Sequence, residues 1–169
     1  DGERIYFDER HWVKLMYGSS GQQEVLWILM LAFVTILEKK KSFIIIEEPE
    51  AHLFPIAQKD VINLISLMIN STNSKVIITT HSPYILTSTN ILLLSEKVEN
   101  RHTKSNKIVI PKNLRVSYEN FAAYKVDSSE KMLESLLDEE SHMISTNYID
   151  EVSSITNNEL DALITMEID

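Results

Sequence analysis

The chain contains no cysteine and only three glycines, Gly2, Gly18 and Gly21. Without cysteine there is neither a disulfide scaffold nor a thiolate metal site, and the composition suits a reducing compartment. With so few glycines, no G-x-x-x-x-G-K-[ST] phosphate loop occurs anywhere. Basic residues are also scarce, 16 Lys and Arg against 25 Asp and Glu, for a net charge of −9. That balance argues against a surface shaped as a whole for nucleic acid, though a local basic patch remains compatible with it. A long apolar run is missing too. Val25 to Leu37 (VLWILMLAFVTIL) covers thirteen residues, whereas a bilayer core requires about 20. Gln22, Gln23 and Glu24 precede it, and Glu38 with Lys39, Lys40 and Lys41 follow. A helix apolar all round is expected to be a central, fully buried one. The chain opens on Asp1-Gly2-Glu3-Arg4 with no signal-peptide pattern. The expected setting is cytoplasmic, with no membrane partner.

What is present fits a globular protein: 169 residues, 44% hydrophobic and 24% charged. That length suffices for one well-buried core and is too short for two ordinary domains. The acidity gathers at one end. From Asp127 to Asp169 there are twelve Asp or Glu against the single Lys131, which reads foremost as a solvated acidic face or tail.

Ile5 to Phe7 and Val13 to Met16 read as two short strands around the polar Asp8 to Arg10. Tyr17-Gly18-Ser19-Ser20-Gly21 is a small-residue turn leading into the apolar helix, whose last turn carries lysines suited to a negative helix end. Phe43-Ile44-Ile45-Ile46 is apolar at every position, the pattern of a strand buried on both faces of a parallel sheet. Pro55 opens a second helix with a stripe of Val61, Leu64, Ile65 and Met68, ending in Asn70 to Asn73. Val76-Ile77-Ile78 is a further apolar strand, and Ser82-Pro83 caps a short helix. Ile91 to Leu94 reads as another buried strand. The β-α-β-α-β order with apolar strands implies a parallel sheet flanked by helices. Beyond Ser95 the character changes. Glu96 to Asn106 is a polar loop, Lys107 to Ile110 and Ala122 to Val126 are candidate edge strands, and Asn147 to Glu167 is a candidate acidic helix. The expected division is therefore 1–95 and an acidic C-terminal α/β extension over 96–169.

Three junctions carry residues useful around a phosphate. Glu47-Glu48-Pro49 places two carboxylates at a strand's carboxyl end, where open α/β sheets bind ligands. One carboxylate can hold Mg²⁺ through water while the other orients or deprotonates an attacking water. The plain alternative is a strand running out into a polar turn. Gly18-Ser19-Ser20-Gly21-Gln22 offers backbone N–H groups and a hydroxyl at a helix N-terminus, which favours an anion; an ordinary serine-capped turn has the same composition. His81 ends the second apolar strand at the same sheet edge, where an imidazole beside an acidic pair favours catalysis over a merely structural role.

In order and spacing these junctions resemble the second half of an ABC-type ATPase domain. Gly18-Ser19-Ser20-Gly21-Gln22-Gln23-Glu24 is similar to the signature loop, Phe43 to Pro49 to the Walker B strand, and Thr79-Thr80-His81-Ser82-Pro83 to the H-loop. The stretch Ile46-Glu47-Glu48-Pro49-Glu50-Ala51-His52-Leu53-Phe54-Pro55 resembles the OLD-like and SMC-like branch. That branch contains soluble "AAA family ATPase" proteins linked to phage defence or DNA metabolism. The resemblance spans about Tyr17 to Leu94. It implies a partial P-loop NTPase fold and ATP with Mg as cofactors. By the same resemblance Ser19, Ser20, Gly21 and Gln22 form the loop that meets the γ-phosphate of ATP held mainly by the opposite subunit. Glu47 holds Mg²⁺ through water, Glu48 polarises the attacking water, and His81 steadies the γ-phosphate. Glu50-Ala51-His52 falls at the D-loop that crosses between subunits of a head-to-tail homodimer.

Three features depart from that pattern. Glu47 stands where many relatives carry Asp, Phe54 where close relatives often carry His, and the Walker A loop with its lysine is missing. Most phosphate-binding energy in P-loop enzymes comes from that loop. These residues alone are therefore expected to bind ATP weakly and hydrolyse it negligibly, as the C-terminal part of a longer ATPase lacking its N-terminal Walker A lobe. The abrupt start at Asp1-Gly2 fits that expectation. The function implied is a switch for a DNA-related or phage-defence complex. The alternatives are the ATPase half of a nuclease system with its nuclease outside this chain, a transporter ATPase, and a non-enzymatic dimerisation module.

Overall fold

The computed structural model describes residues 3–6, 8–99, 110–126 and 132–145. It is a mixed α/β structure. Strands β1 (Arg4–Tyr6) and β2 (Trp12–Lys14) form an antiparallel hairpin, with Ile5 opposite Val13. Asp8 holds the turn, its Oδ1 accepting the backbone N–H groups of Arg10 and His11 at 2.8 Å each. Those bonds and the His11 side chain hold its carboxyl below the usual range. A 3-10 turn over Leu15–Tyr17 leads to helix α1 (Ser20–Glu38).

Next come strand β3 (Phe43–Glu47), helix α2 (Pro55–Thr72), strand β4 (Lys75–Thr79) and helix α3 (Pro83–Glu99). β3 and β4 pair in parallel, in register from Phe43 opposite Lys75 to Glu47 opposite Thr79. Pro55 sits at the first position of α2, where its missing N–H costs nothing. Asn73 closes the helix in the left-handed conformation. The expected stripe is correct: Val61, Ile65 and Met68 are buried with Ile62, and Leu64 packs against them. Ala32 of α1, Ile44 and Ile46 of β3, and Ile85 and Leu92 of α3 complete this core.

Three expectations require correction. Ile91 to Leu94 is not a strand but the middle of the 17-residue α3, with Leu92 and Leu93 buried and Ile91 and Leu94 facing out. The helix after Ser82-Pro83 is accordingly long, and the described parallel sheet has two strands. β3 is buried on one face only: Ile44 and Ile46 point into the core, while Phe43 and Ile45 are 64% and 60% exposed. Likewise α1 is not fully buried. Gly21, Ala32 and Thr35 are its buried residues, and Trp27, Met30, Phe33, Val34 and Leu37 lie exposed. Ile44 and Ile46 share one core with side chains of α1, α2 and α3, whereas the other face of β3 and much of the apolar surface of α1 have no cover among the described residues. By length and composition α1 could cross a membrane, a test that core helices of soluble proteins also pass.

After α3, residues 110–117 return to the core. Ser66 Oγ donates to the Leu114 carbonyl at 2.7 Å, and Asn70 Nδ2 bonds the carbonyls of Asn113 and Arg115. Strands β5 (Tyr124–Val126) and β6 (Leu133–Ser135) pair antiparallel, as do β7 (Leu137–Asp138) and β8 (Met143–Ile144). β5 falls within the expected Ala122 to Val126 strand, and Ile110 has no strand structure. Most of the polar loop, the rest of the Lys107 strand and the Asn147 to Glu167 helix lie outside the described residues.

Candidate functional site

The parallel register brings Glu47 and Thr79 to the same carboxyl edge, and the next residues of both strands continue together. Glu48 N–H donates to the Thr79 carbonyl at 2.9 Å. Glu48 then turns the chain with φ 43°, a left-handed conformation uncommon for a residue with a side chain. Such backbone costs of order 1 kcal/mol or more and gathers at functional sites. Its effect is to aim the carboxylate across the sheet edge, where Glu48 Oε1 lies 3.4 Å from His81 Nε2. Both groups are open to solvent, the His81 side chain 89% exposed. An ion pair so exposed adds little stability, so its interest is geometric. A carboxylate and an imidazole face one accessible space above the strand ends.

Glu47 has no side-chain hydrogen bond or ion pair among the described residues and is exposed at the end of β3. One free carboxylate at a sheet edge fits Mg²⁺, which commonly takes one or two carboxylates and fills its octahedron with water and phosphate oxygens. No group of three or more His, Asp or Glu side chains among the described residues converges on a metal position. A self-contained metal cage is therefore not built among the described residues.

At the start of α1, Ser19 and Gln22 form a reciprocal capping box. Ser19 Oγ accepts from Gln22 N–H at 3.3 Å, and Gln22 Oε1 accepts from Ser19 N–H at 3.0 Å. Ser20 is exposed beside them. Gly21 is buried against the turn after β3, where an added Cβ would stand 2.3 Å from the His52 carbonyl oxygen. His52, itself left-handed at φ 57°, also reaches Glu24 with Nδ1 at 3.1 Å. The loop at α1 and the turn Glu48–Leu53 are thus packed backbone to backbone.

A second link joins that turn to His81, and the residue that makes it is Glu50. Its Oε1 accepts from Thr80 Oγ1 at 2.6 Å and from the His81 backbone N–H at 2.9 Å. Thr80 Oγ1 in turn accepts from Ser82 N–H, and Ser82 Oγ donates to Gln58 Oε1. Ser82 also accepts from Tyr84 N–H, the expected cap of α3. Sequence reasoning placed Glu50 in a crossing loop without assigning it a partner. The available signal was a third acid two residues beyond the acidic pair, facing a hydroxyl-rich Thr79-Thr80-His81-Ser82.

Residues 3–86 match the AAA ATPase domain family. That stretch runs from β1 into the first turn of α3 and contains every residue of the site just described. The match supports an AAA-type ATPase domain here, and with it nucleotide binding and ATPase activity in general. No curated protein and no solved structure matches the chain. A groove of about 480 Å³ lies elsewhere, between β1 and the Leu26, Trp27 and Met30 side of α1. Its lining includes Glu3 but not Glu47, Glu48, Glu50 or His81.

Proposed function

We propose that the chain is the C-terminal part of a soluble, OLD-like or SMC-like ABC-type ATPase. It works as a head-to-tail dimer that ATP closes and hydrolysis reopens, a ligand-driven population shift. The observation that carries this reading is the meeting of Glu48 and His81, 3.4 Å apart, at the carboxyl edge of a parallel strand pair with Glu47 alongside. Glu48 would accept a hydrogen bond from the attacking water and orient it in line with the γ-phosphorus. His81 would donate to a γ-phosphate oxygen as charge shifts during cleavage. Glu47 would hold Mg²⁺ through coordinated water, and the ion, when bound, neutralises charge on the phosphate oxygens. Ser19, Ser20, Gly21 and Gln22, at the N-terminus of α1, would meet the γ-phosphate held by the other subunit, with the Ser19–Gln22 capping box opening as they do so.

The missing phosphate cradle is the essential complement. With no G-x-x-x-x-G-K-[ST] in its sequence, the chain depends on a lobe carrying Walker A. The uncovered face of β3 and β4, with Phe43, Ile45 and Ile77 exposed, is consistent with further strands and helices completing the sheet. A cytoplasmic setting follows from this reading, since α1 lies within the matched domain. A DNA-related or defence complex is the target, and any nuclease lies outside this chain.

The test is Glu48→Gln in the ATPase that contains this chain with its Walker A lobe. Hydrolysis should vanish while ATP still drives dimerisation, read by phosphate release and by size-exclusion chromatography with light scattering. Wild-type turnover by that variant would remove the assignment.

A further inference from the structure

We infer that Glu50 is a positioning residue that holds His81 for hydrolysis, acting through the backbone rather than on the nucleotide. This rests on the ATPase reading above. Among the described residues the His81 side chain meets only the long contact to Glu48, and its ring is almost wholly in solvent. Its location is set instead by its backbone. There Glu50 Oε1 takes two donors at once, the His81 N–H and the Thr80 hydroxyl. A charged acceptor strengthens both bonds. Because Glu50 follows Glu48 by two residues and Ala51 N–H bonds the Glu48 carbonyl, the same rigid turn fixes the carboxylate that faces the water and the imidazole opposite it.

The second oxygen supports the argument. Glu50 Oε2 is buried with no hydrogen-bond partner among the described residues. Buried polar atoms are normally satisfied, so among the described residues the two bonds at Oε1 carry all the pairing of this carboxylate. The anchor also extends inward. Thr80 and Ser82 carry it to Gln58, whose Nε2 donates to the Leu53 carbonyl at 2.9 Å. A closed ring of bonds therefore joins the turn after β3 to the loop after β4.

Two measurements test this. In the 169-residue chain, without nucleotide, hydrogen exchange of the His81 amide should accelerate about tenfold or more in Glu50→Ala. It should stay protected in Glu50→Gln, whose amide oxygen still accepts both donors. In the complete ATPase, Glu50→Ala and His81→Ala should each lower kcat by up to about 100-fold with little change in the KM for ATP, and Glu50→Gln should recover most of the loss. The double variant Glu50→Ala/His81→Ala should be no slower than His81→Ala alone, because the anchor has nothing left to position. A structural role would multiply the two losses, and that result overturns the inference. Unchanged exchange at His81 overturns it independently of any ATPase assay. If exchange responds as stated and the wild-type enzyme hydrolyses no ATP, the ATPase reading fails, and the hydrolytic role of Glu50 with it.

Discussion

Gly21→Ala offers a sharp test of how the loop at α1 and the turn after β3 are joined. The new Cβ would meet the His52 carbonyl oxygen at 2.3 Å, its carbon at 3.0 Å and Leu53 Cδ2 at 3.1 Å. Ordinary contact begins near 3.4 Å, so the gap must open by about 1 Å. The first two atoms are backbone, and their turn is held by Ala51 N–H to Glu48 O and Leu53 N–H to Glu50 O, each 2.9 Å. Neither can rotate aside as a side-chain end would. Overpacking of this kind costs about 1–3 kcal/mol, and alanine's better helix propensity returns up to about 1 kcal/mol. Because the contacts are with backbone, the upper part of that range applies, a cost of about 2–3 kcal/mol; the net loss of about 1–2 kcal/mol, at about 2–4 °C per kcal/mol for a chain of this size, lowers Tm by about 2–8 °C. Gly18→Ala is the matched control. Its Cβ would come no nearer than 3.2 Å to the Leu15 carbonyl and 3.3 Å to the movable Gln22 Oε1, so the shift should stay within about 2 °C. Calorimetry or circular dichroism melting of the two variants decides the matter. An unchanged or raised Tm in Gly21→Ala would mean that helix propensity dominates and that the close approach at His52 is wrong.

Ser19→Ala removes one half of the capping box and should cost about 0.5–2 kcal/mol in urea unfolding, while Ser19→Asn should retain most of the stability. Ile44→Ala should cost about 2–5 kcal/mol, whereas Ile45→Ala, one residue along the same strand, should stay within about 0.5 kcal/mol; equal losses in urea unfolding would show that both faces of β3 are covered. The Asp138 carboxyl is held below its usual range, first by the Ser141 backbone N–H, then by the Ser141 side chain, with Glu140 N–H and the Lys97 charge also lowering it. A depressed carboxyl stabilises the fold above the unfolded-state value of about 3.9, and the contribution disappears as pH falls through the lower folded value. Asp138→Asn should therefore be destabilising at pH 7, by a gap that shrinks as pH falls below about 3.9, compared by urea midpoints; a gap that widens in acid would contradict the sign. In the complete ATPase, Glu48→Gln should accumulate the ATP-bound dimer, and addition of EDTA should abolish wild-type hydrolysis.

Local chemistry made much of the site legible. Pro55, Asn73 and Ser82 mark helix ends through mechanisms that act within one turn, and each does so in the structure. The carboxylates were readable because a strand's end fixes where its next side chains emerge. α3 was not readable in the same way. Thr87-Ser88-Thr89-Asn90 has the composition of a loop, which detached Ile91 to Leu94 as a strand. In the structure those polar groups are spent on bonds that a helix can accommodate. Thr89 Oγ1 donates to the Ile85 carbonyl at 2.8 Å, a back-bond within the helix. Asn90 bonds both the N–H and the carbonyl of Ile144, 54 residues away. A four-residue apolar run has no period of its own to distinguish strand from helix, so partners distant in sequence decided its structure.

The error over β3 has a different origin and bears on function. Phe43-Ile44-Ile45-Ile46 has the composition of a strand covered on both sides, yet half of it faces solvent. The run α1 repeats the mismatch with Trp27, Phe33 and Leu37 exposed. Sequence composition records the environment a segment is adapted to, and one-sided burial records only the groups present to cover it. When two elements of one core, a strand and a helix, show the same excess of exposed apolar surface, a common cause is more economical than two separate ones. The acidic edge points the same way. Glu47 and Glu48 end the half-covered strand as carboxylates with water on their outer side, and the chain has no glycine-rich loop to bring a phosphate against them. On the proposed reading, a lobe that packed helices on the open face of β3 and β4 would cover Phe43, Ile45 and Ile77 and could bring such a loop to the same edge. If that proposal holds, the uncovered hydrophobic face and the lack of a phosphate loop have one origin, a surface that a Walker A lobe would supply.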